Sequence, residues 1–192
     1  MKILSILGSP QKKGNTAKVL GWVEDELRAM GHDVERIDMA DHKVAGCKAC
    51  YKCYQHPDKY YCSQNDDAKP IFKKAMKADA IILSSPLFCW EFASTITPLM
   101  ERAIGLVKFT KDGGRKSYIE GKSFGMVMTC AGPLKNNADL APKVFKRLTN
   151  HVGAVDAGML IIPGCTEPKD MGDDTRKKAA KFARSLVKHI GG

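Results

Sequence analysis

Short apolar segments alternate along the chain with longer segments whose apolar residues recur at helical spacing. The first apolar segment covers residues 3–7 and runs directly into a turn-forming stretch at 8–16. After that stretch, apolar residues recur three and four positions apart until Gly31, a residue typical of the position just past a helix end. The same alternation continues and predicts strands at 3–7, 32–37, 80–83, 123–129 and 155–162. Each is followed by a helical pattern, marked by Val19, Leu20, Val23, Leu27 and Met30, by Ile71, Phe72, Ala75 and Met76, by Leu99, Ala103 and Ile104, by Val144, Leu148 and Val152, and by residues 175–190.

Strands that alternate with helices predict an α/β fold, in which a parallel sheet carries helices on both faces. The segment 80–83 is apolar at every position, as expected for a strand whose two faces are both covered, and Ser84, Ser85 and Pro86 are expected to end it. Ligands of such sheets bind beyond the carboxyl ends of the strands, where the strand order reverses. We therefore expect the chemistry to lie in the loops at 8–16, 84–92 and 129–133.

The length and composition predict one folded domain. The chain has 192 residues, of which 44% are hydrophobic and 27% charged, enough to form a core. No apolar run approaches the roughly 20 residues that cross a bilayer. The opening MKILSILGSP lacks the small-residue cleavage site of a signal peptide, so we expect a cytoplasmic protein over residues 1–192.

The charge balance is basic, with 31 Lys and Arg against 21 Asp and Glu, a formal charge of +10. A basic surface attracts anions, including nucleic acid. Here the lysines are scattered through helical stretches instead of being massed in a tail with aromatic residues. This distribution favours a solvated surface over nucleic-acid binding.

The stretch 8–16 has the residues of an anion-binding turn. It places Ser9, Asn15, Thr16 and the backbone of Gly14 between a strand and the first turn of a helix. Free backbone N–H groups and the helix dipole favour a phosphate there. The stretch matches neither the Walker A pattern nor the dinucleotide GxGxxG pattern, which disfavours nucleotide triphosphate hydrolysis. On this loop alone, a helix that is simply capped by Asn or Thr remains an equal alternative.

The loop that follows the strand at 80–83 offers aromatic surface at the same edge of the sheet. Pro86 fixes the backbone there, and Phe88 and Trp90 suit stacking on a flat tricyclic ring. Aromatic residues after a strand are also commonly buried for packing alone. On these residues alone, burial for packing is the favoured interpretation.

Four cysteines form a compact motif, Cys-x2-Cys-x2-Cys-x8-Cys, at Cys47, Cys50, Cys53 and Cys62. Four thiolates at close spacing are typical ligands of a 4Fe-4S cluster, and the lysines at 48 and 52 favour thiolates. Zinc is an alternative, although zinc sites more often use two separated pairs, and disulfides or free thiols are another. The remaining cysteines, Cys89, Cys130 and Cys165, are expected to be buried packing residues.

The segment GSPQKKGNTAKVL resembles the GSPRxxGNT signature of the flavodoxin-like NAD(P)H-dependent FMN reductases, and SSPLFCWEFASTITPLMERA resembles the second signature of that family. The resemblance implies a doubly wound five-stranded parallel sheet of order 2-1-3-4-5. It also implies FMN, with Gln11 standing where the family usually has Arg, which removes one charge from the phosphate site. The residues carried over are Ser9, Gln11, Gly14, Asn15 and Thr16 for the phosphate, Pro86, Leu87, Phe88 and Trp90 for the isoalloxazine, and Thr129, Ala131 and Gly132 for a third loop.

The cysteine motif resembles that of the iron-sulfur flavoproteins, a branch of the same fold. The resemblance implies a cysteine-rich loop at 46–63 that holds a 4Fe-4S cluster. The gap before Cys62 is longer than usual, which leaves His56 as a substitute ligand.

The resemblance as a whole implies a flavin-dependent oxidoreductase that passes electrons between FMN and the cluster. It needs no side chain as a general base, so the other histidines, His32, His42, His151 and His189, are expected to be structural or on the surface. Its partners would be NAD(P)H, a quinone or a ferredoxin-like donor, and it would form a homodimer or homotetramer. The alternatives are a cluster-free NAD(P)H-dependent FMN or quinone reductase and, in another class, a zinc-stabilised or nucleic-acid-binding module.

Overall fold

The computed structural model describes residues 1–110 and 112–188. Lys111, His189 and Ile190 lie outside these ranges. The expectation for His189 and the expected end of the last helix at residue 190 therefore fall outside the described residues. The strands in chain order are β1 (Lys2–Leu7), β2 (Asp33–Asp38), β3 (Ala80–Phe88), β4 (Glu91–Phe92), β5 (Val107–Phe109), β6 (Arg115–Ser117), β7 (Ser123–Thr129) and β8 (Val155–Ile162). The α-helices are α1 (Asn15–Ala29), α2 (Ala68–Lys77), α3 (Thr97–Arg102), α4 (Ala141–His151) and α5 (Asp173–Val187).

Five of the strands form a parallel sheet in the order β2-β1-β3-β7-β8. Counted among the parallel strands alone, this is the order 2-1-3-4-5, so the predicted fold is confirmed. The strand order reverses between β1 and β3. All five carboxyl ends lie at one edge of the sheet, which is where a ligand site is expected in this architecture.

Helices cover both faces of the sheet, as predicted. On one face α1 and α5 pack together, with Leu20 and Leu186 both fully buried. On the other face Ile71 of α2, Leu99 of α3 and Phe145 of α4 belong to a second apolar cluster. The strands between these layers are apolar on both sides, which explains the uninterrupted apolar run that begins β3.

Helix α1 ends where the sequence indicates. The residue after its C-cap, Gly31, has a φ of +81°, in the left-handed region that glycine adopts without strain. The chain can therefore turn directly into β2.

Strand β3 is longer than expected, because Ser84, Ser85 and Pro86 continue it to Phe88. The serine side chains are used inside the structure: Ser84 Oγ donates to the Ile6 carbonyl at 2.8 Å, and Ser85 Oγ accepts from the Ala93 N–H at 2.9 Å. Pro86 is tolerated because it lies near the end of the β3–β7 ladder. The extension carries residues 86–88 beyond the neighbouring strand β1.

Two other features differ from the expectation. The helix expected around residues 99–104 is α3, and it passes into a 3-10 turn at Ala103–Leu106. A short antiparallel hairpin of β5 and β6, with Gly113 at a φ of +82°, lies before β7 and was not predicted. The hairpin strands have only three residues each, too short to give a recognisable pattern in the sequence.

No helix in the part of the chain that the structure describes is long and apolar enough to cross a membrane. All seven cysteines are free, so the disulfide alternative is not realised among them.

Candidate functional site

An open cleft of about 440 Å³ lies at the carboxyl ends of β1, β3, β7 and β8. Its volume is within the range of small-molecule and cofactor sites. Ten of the twelve residues expected at the cofactor site line it: Ser9, Gln11, Gly14, Asn15, Thr16, Pro86, Leu87, Phe88, Thr129 and Ala131. Three loops far apart in the sequence therefore meet around one space.

The loop between β1 and α1 presents an uncapped helix N-terminus to this cleft. Ser9 Oγ accepts from the Gln11 N–H at 3.1 Å, and the Gln11 carbonyl accepts from the Gly14 N–H at 3.2 Å, which folds the loop into a tight turn. No side chain caps α1, and its first turn has no acidic residue. The first N–H groups of a helix have no partner within the helix, so this end suits an anion.

Two side chains attach this helix start to the neighbouring strands. Thr16 Oγ1 lies 2.7 Å from Thr129 Oγ1, and both threonines are buried. Asn15 Nδ2 donates to the Cys165 carbonyl at 3.1 Å. The Asn15 Oδ1 atom is buried and has no hydrogen-bond partner among the described residues. Because Asn15 lines the cleft, a hydroxyl donor of a bound ligand would satisfy this oxygen, and the site fits a ligand that combines a phosphate with a polyol chain.

The loop can adopt this position only because residue 8 is glycine. A Cβ atom at Gly8 would lie 2.7 Å from Ile96 Cβ and 2.8 Å from the Ser84 carbonyl oxygen. The Gly8 N–H donates to that same carbonyl at 2.7 Å, and its own carbonyl accepts from Thr95 Oγ1. Gly8 thus holds the phosphate loop against the end of β3.

The aromatic side of the cleft is formed by Pro86, Leu87 and Phe88 at the end of β3. Phe88 is 51% exposed, so its ring is available to a ligand and is not a core residue. Trp90 is 58% exposed and is not among the residues that line the cleft. It follows Cys89 in a turn where both residues have positive φ, which directs the chain back into β4.

The expectation that Cys89 is buried is wrong, because this turn exposes it. Cys130 and Cys165 are buried as predicted, and burial raises the pKa of both thiols. Both also line the cleft, together with Pro10 and Thr166. Pro10 and Cys130 lie in two of the loops where the chemistry was expected, whereas Cys165 and Thr166 follow β8, outside those loops. The position of Cys165 and Thr166 after the carboxyl end of a parallel strand was the available signal for them.

Gly132 lies beside the cleft without lining it. A Cβ atom there would approach Asn137 Nδ2 to 2.8 Å, so the third loop packs closely on the segment that follows it.

The four cysteines of the compact motif line a second, small pocket of about 30 Å³. The pocket lies between the loop that follows β2 and the 3-10 turn after α3, so its loop also begins at the carboxyl edge of the sheet. Cys47 and Cys50 are exposed, and Cys53 and Cys62 are half-buried. In residues 1–110 and 112–188, no three Cys, His, Asp or Glu side chains are close enough together to hold a metal ion. The thiols surround one pocket but do not converge on a point within it.

The substitute ligand His56 is not among the residues that line this pocket. Its ring packs on Tyr61, with ring centres 3.9 Å apart. Of the two candidates for the fourth ligand, the structure therefore places Cys62, and not His56, at the pocket.

Two cationic side chains donate hydrogen bonds to cysteines of this pocket. Arg102 Nη2 donates to Cys62 Sγ at 3.2 Å, and Lys108 Nζ donates to the Cys53 carbonyl at 2.6 Å. A hydrogen bond with the Ser63 side chain lowers the pKa of Cys50, whereas burial raises the pKa of Cys53. Lys48 and Lys52 were the cations recognised from the sequence, and these two buried cations were not. The available signal for Arg102 was a charge among the apolar positions of an amphipathic helix.

A family model described as NADPH-dependent FMN reductase matches residues 1–162 of the chain. The chain belongs to this family. It is accordingly a flavin-dependent oxidoreductase, and the predicted family is confirmed.

Comparisons with other proteins and with solved structures are consistent with the match. The chain is 27% identical to an iron-sulfur flavoprotein of Archaeoglobus fulgidus over 97% of its length and 79% of the relative. It is also 27% identical to an iron-sulfur flavoprotein of Methanocaldococcus jannaschii, covering 99% of each chain. The crystal structure of an FMN-dependent NADH-azoreductase of Bacillus anthracis in complex with FMN has a TM-score of 0.70 at 16% identity, over 98% of this chain and 100% of the other. This structural likeness supports the fold.

Proposed function

We propose that the protein is an FMN-dependent electron-transfer oxidoreductase whose second cofactor is a 4Fe-4S cluster held by Cys47, Cys50, Cys53 and Cys62. When bound, FMN accepts electrons in pairs as hydride and releases them singly, and the cluster relays single electrons. The observation that carries this proposal is that four thiols from one short loop line one pocket beside two buried cations. An anionic group held by thiolates fits such a pocket.

The cleft provides what FMN requires from the protein. The free N–H groups at the start of α1, with Ser9, Gln11, Asn15 and Thr16 around them, would hold the phosphate. The exposed Phe88 ring would contact the flat isoalloxazine, and the unpartnered Asn15 Oδ1 would accept from a ribityl hydroxyl. Residues 129–132 would complete the third side. These residues bind and orient the cofactor, and none has to act as a general base.

The residues of the phosphate loop that line the cleft are all uncharged. Gln11 brings no charge to the phosphate, so the helix N-terminus and hydrogen bonds supply the binding energy. The overall charge of +10 adds a longer-range attraction for anions such as FMN, NAD(P)H or an acidic redox protein. We further propose NAD(P)H, a quinone or a ferredoxin-like protein as the redox partner, a homodimer or homotetramer as the assembly, and the cytoplasm as the location.

The cofactor content of anoxically purified protein tests the cluster. We expect bound FMN and about four irons per chain. Cys50→Ser should lose most of the iron and retain the flavin. Cys89→Ser is the matched control, because Cys89 is also an exposed thiol but lies outside the pocket, and it should retain both.

Flavin without iron would contradict the cluster and favour a cluster-free NAD(P)H-dependent FMN or quinone reductase. The separation of the four thiols around the pocket is the observation that favours this alternative. In that case NADPH oxidation under air should be unchanged in Cys50→Ser. Stoichiometric zinc in place of iron would instead indicate a zinc-stabilised module.

A further inference from the structure

Two cations are buried beside the cysteine pocket, and they differ in how they are compensated. Arg102 is 3% exposed and Lys108 is 2% exposed, although such side chains are almost never fully buried unless they are paired. Burial lowers the pKa of Lys108, whereas for Arg102 the opposing effects of Asp66 and Cys62 outweigh burial and raise the pKa. A fold that keeps two cations in this position needs negative charge nearby.

Arg102 has part of this compensation within the protein. Its Nη1 atom lies 2.5 Å from Asp66 Oδ2 and donates to the Ala45 carbonyl at 3.2 Å, while Nη2 donates to Cys62 Sγ. Its Nε atom is buried and has no hydrogen-bond partner among the described residues. The guanidinium group therefore has a buried N–H without a partner, in a residue that lines the pocket.

Lys108 has no such compensation. Its ammonium group donates to the Cys53 carbonyl, and in the described part of the chain no carboxylate forms a salt bridge with it. Its hairpin neighbour Lys116, which lies opposite it in the β5–β6 ladder, is exposed. An ammonium group without a compensating charge is rarely buried, so the retention of Lys108 at 2% exposure needs a reason.

We propose that Lys108 and Arg102 are positioning residues for the cluster, and that their charges raise its reduction potential. This inference rests on the proposed function. Reduction adds an electron, and therefore negative charge, to a group that already carries thiolates. Nearby positive charge and hydrogen bonds to the sulfurs favour the reduced state, and these are established determinants of cluster potential.

Redox titration of the anoxically purified, cluster-loaded protein tests this role. Lys108→Met should lower the ratio of reduced to oxidised cluster at a fixed potential at least tenfold, which is a shift of about 59 mV for a one-electron couple. Lys116→Met removes the same charge from the exposed position of the same hairpin and should change the ratio less than twofold.

Further variants separate charge from packing. Lys108→Gln keeps a donor for the Cys53 carbonyl without the charge and should lower the potential as Lys108→Met does. Lys108→Arg keeps the charge and should retain a potential close to that of the wild type. If Lys108→Met does not fold, the Gln and Arg variants decide the question between them.

Equal shifts in Lys108→Met and Lys116→Met, or a shift in Lys108→Arg as large as that in Lys108→Gln, would overturn the role of the buried charge while leaving the cluster in place. Wild-type protein that binds FMN but no iron would overturn the proposed function itself, and this inference with it. Iron content is measured on every sample, so the two failures are distinguishable.

Discussion

Gly8→Ala should disrupt the site through packing alone. The new Cβ would lie 2.7 Å from Ile96 Cβ and 2.8 Å from the Ser84 carbonyl oxygen, whereas carbon contacts are normally 3.5–4.0 Å. The backbone must therefore move by about 1 Å, because neither contact is the flexible end of a side chain. Such overpacking costs about 1–3 kcal/mol, and loss of the Gly8 N–H to Ser84 hydrogen bond costs about 1 kcal/mol more. We expect the free energy of unfolding to fall by about 2–4 kcal/mol.

Gly21→Ala is the matched control, because a Cβ at that position of α1 meets only an ordinary contact at 3.6 Å. A Gly to Ala change inside a helix should stabilise the protein by up to about 1 kcal/mol. Urea unfolding of the flavin-free proteins measures both effects, and fluorescence titration with FMN measures the displacement of the loop. FMN should bind Gly8→Ala at least tenfold more weakly, about 1.4 kcal/mol, and Gly21→Ala unchanged. Wild-type stability and FMN affinity in Gly8→Ala would refute the reasoning.

Three further predictions concern separate parts of the molecule. Arg36→Met leaves the buried Glu24 carboxylate without the bidentate partner that binds it at 2.7 and 2.8 Å. The free energy of unfolding, measured in urea, should fall by about 3 kcal/mol, and a loss below about 1 kcal/mol would contradict this. Phe88→Ala should weaken FMN binding more than Trp90→Ala in the same titration, because only Phe88 lines the cleft, and the reverse order would place Trp90 on the ring. Burial lowers the pKa of His151, so the unfolded state binds a proton at a higher pH than the folded state does. Stability should therefore be lost as the pH falls below about 6.5. His151→Gln should reduce that loss in pH-dependent unfolding, and an unchanged slope would exclude this histidine as its source.

The regular part of the fold could be predicted from the sequence because its strands and helices are long enough for their apolar patterns to be recognised. The parallel strands, their helices and the turn at Gly31 follow from local pattern and backbone preference. The end of β3 could not be predicted, since Ser84, Ser85 and Pro86 are turn-forming residues that the neighbouring strands hold in extended conformation. The hairpin of β5 and β6 could not be predicted either, because strands of three residues are too short to give a recognisable pattern.

Part of the candidate site could be recognised from the sequence, and part could not. Its phosphate loop and cysteine motif are contiguous in sequence and could be recognised there. Lys108 could not be recognised, and the charge within α3 was the one local signal for Arg102. The roles of both residues depend on burial beside cysteines that lie 55 and 40 positions away in the sequence. In the sequence, a lysine between Val107 and Phe109 resembles a surface residue. In the structure, its ammonium group donates to the Cys53 carbonyl, and the side chain is buried.

The central claim is that the start of α1 binds the phosphate of FMN, and a comparison of FMN with riboflavin tests it most directly. The two ligands share the ring and the ribityl chain and differ only in the phosphate. Titrated into flavin-free protein at fixed ionic strength, FMN should bind at least 100-fold more tightly than riboflavin, a difference of about 2.7 kcal/mol. Equal affinities for the two ligands, or no binding of FMN, would contradict the account.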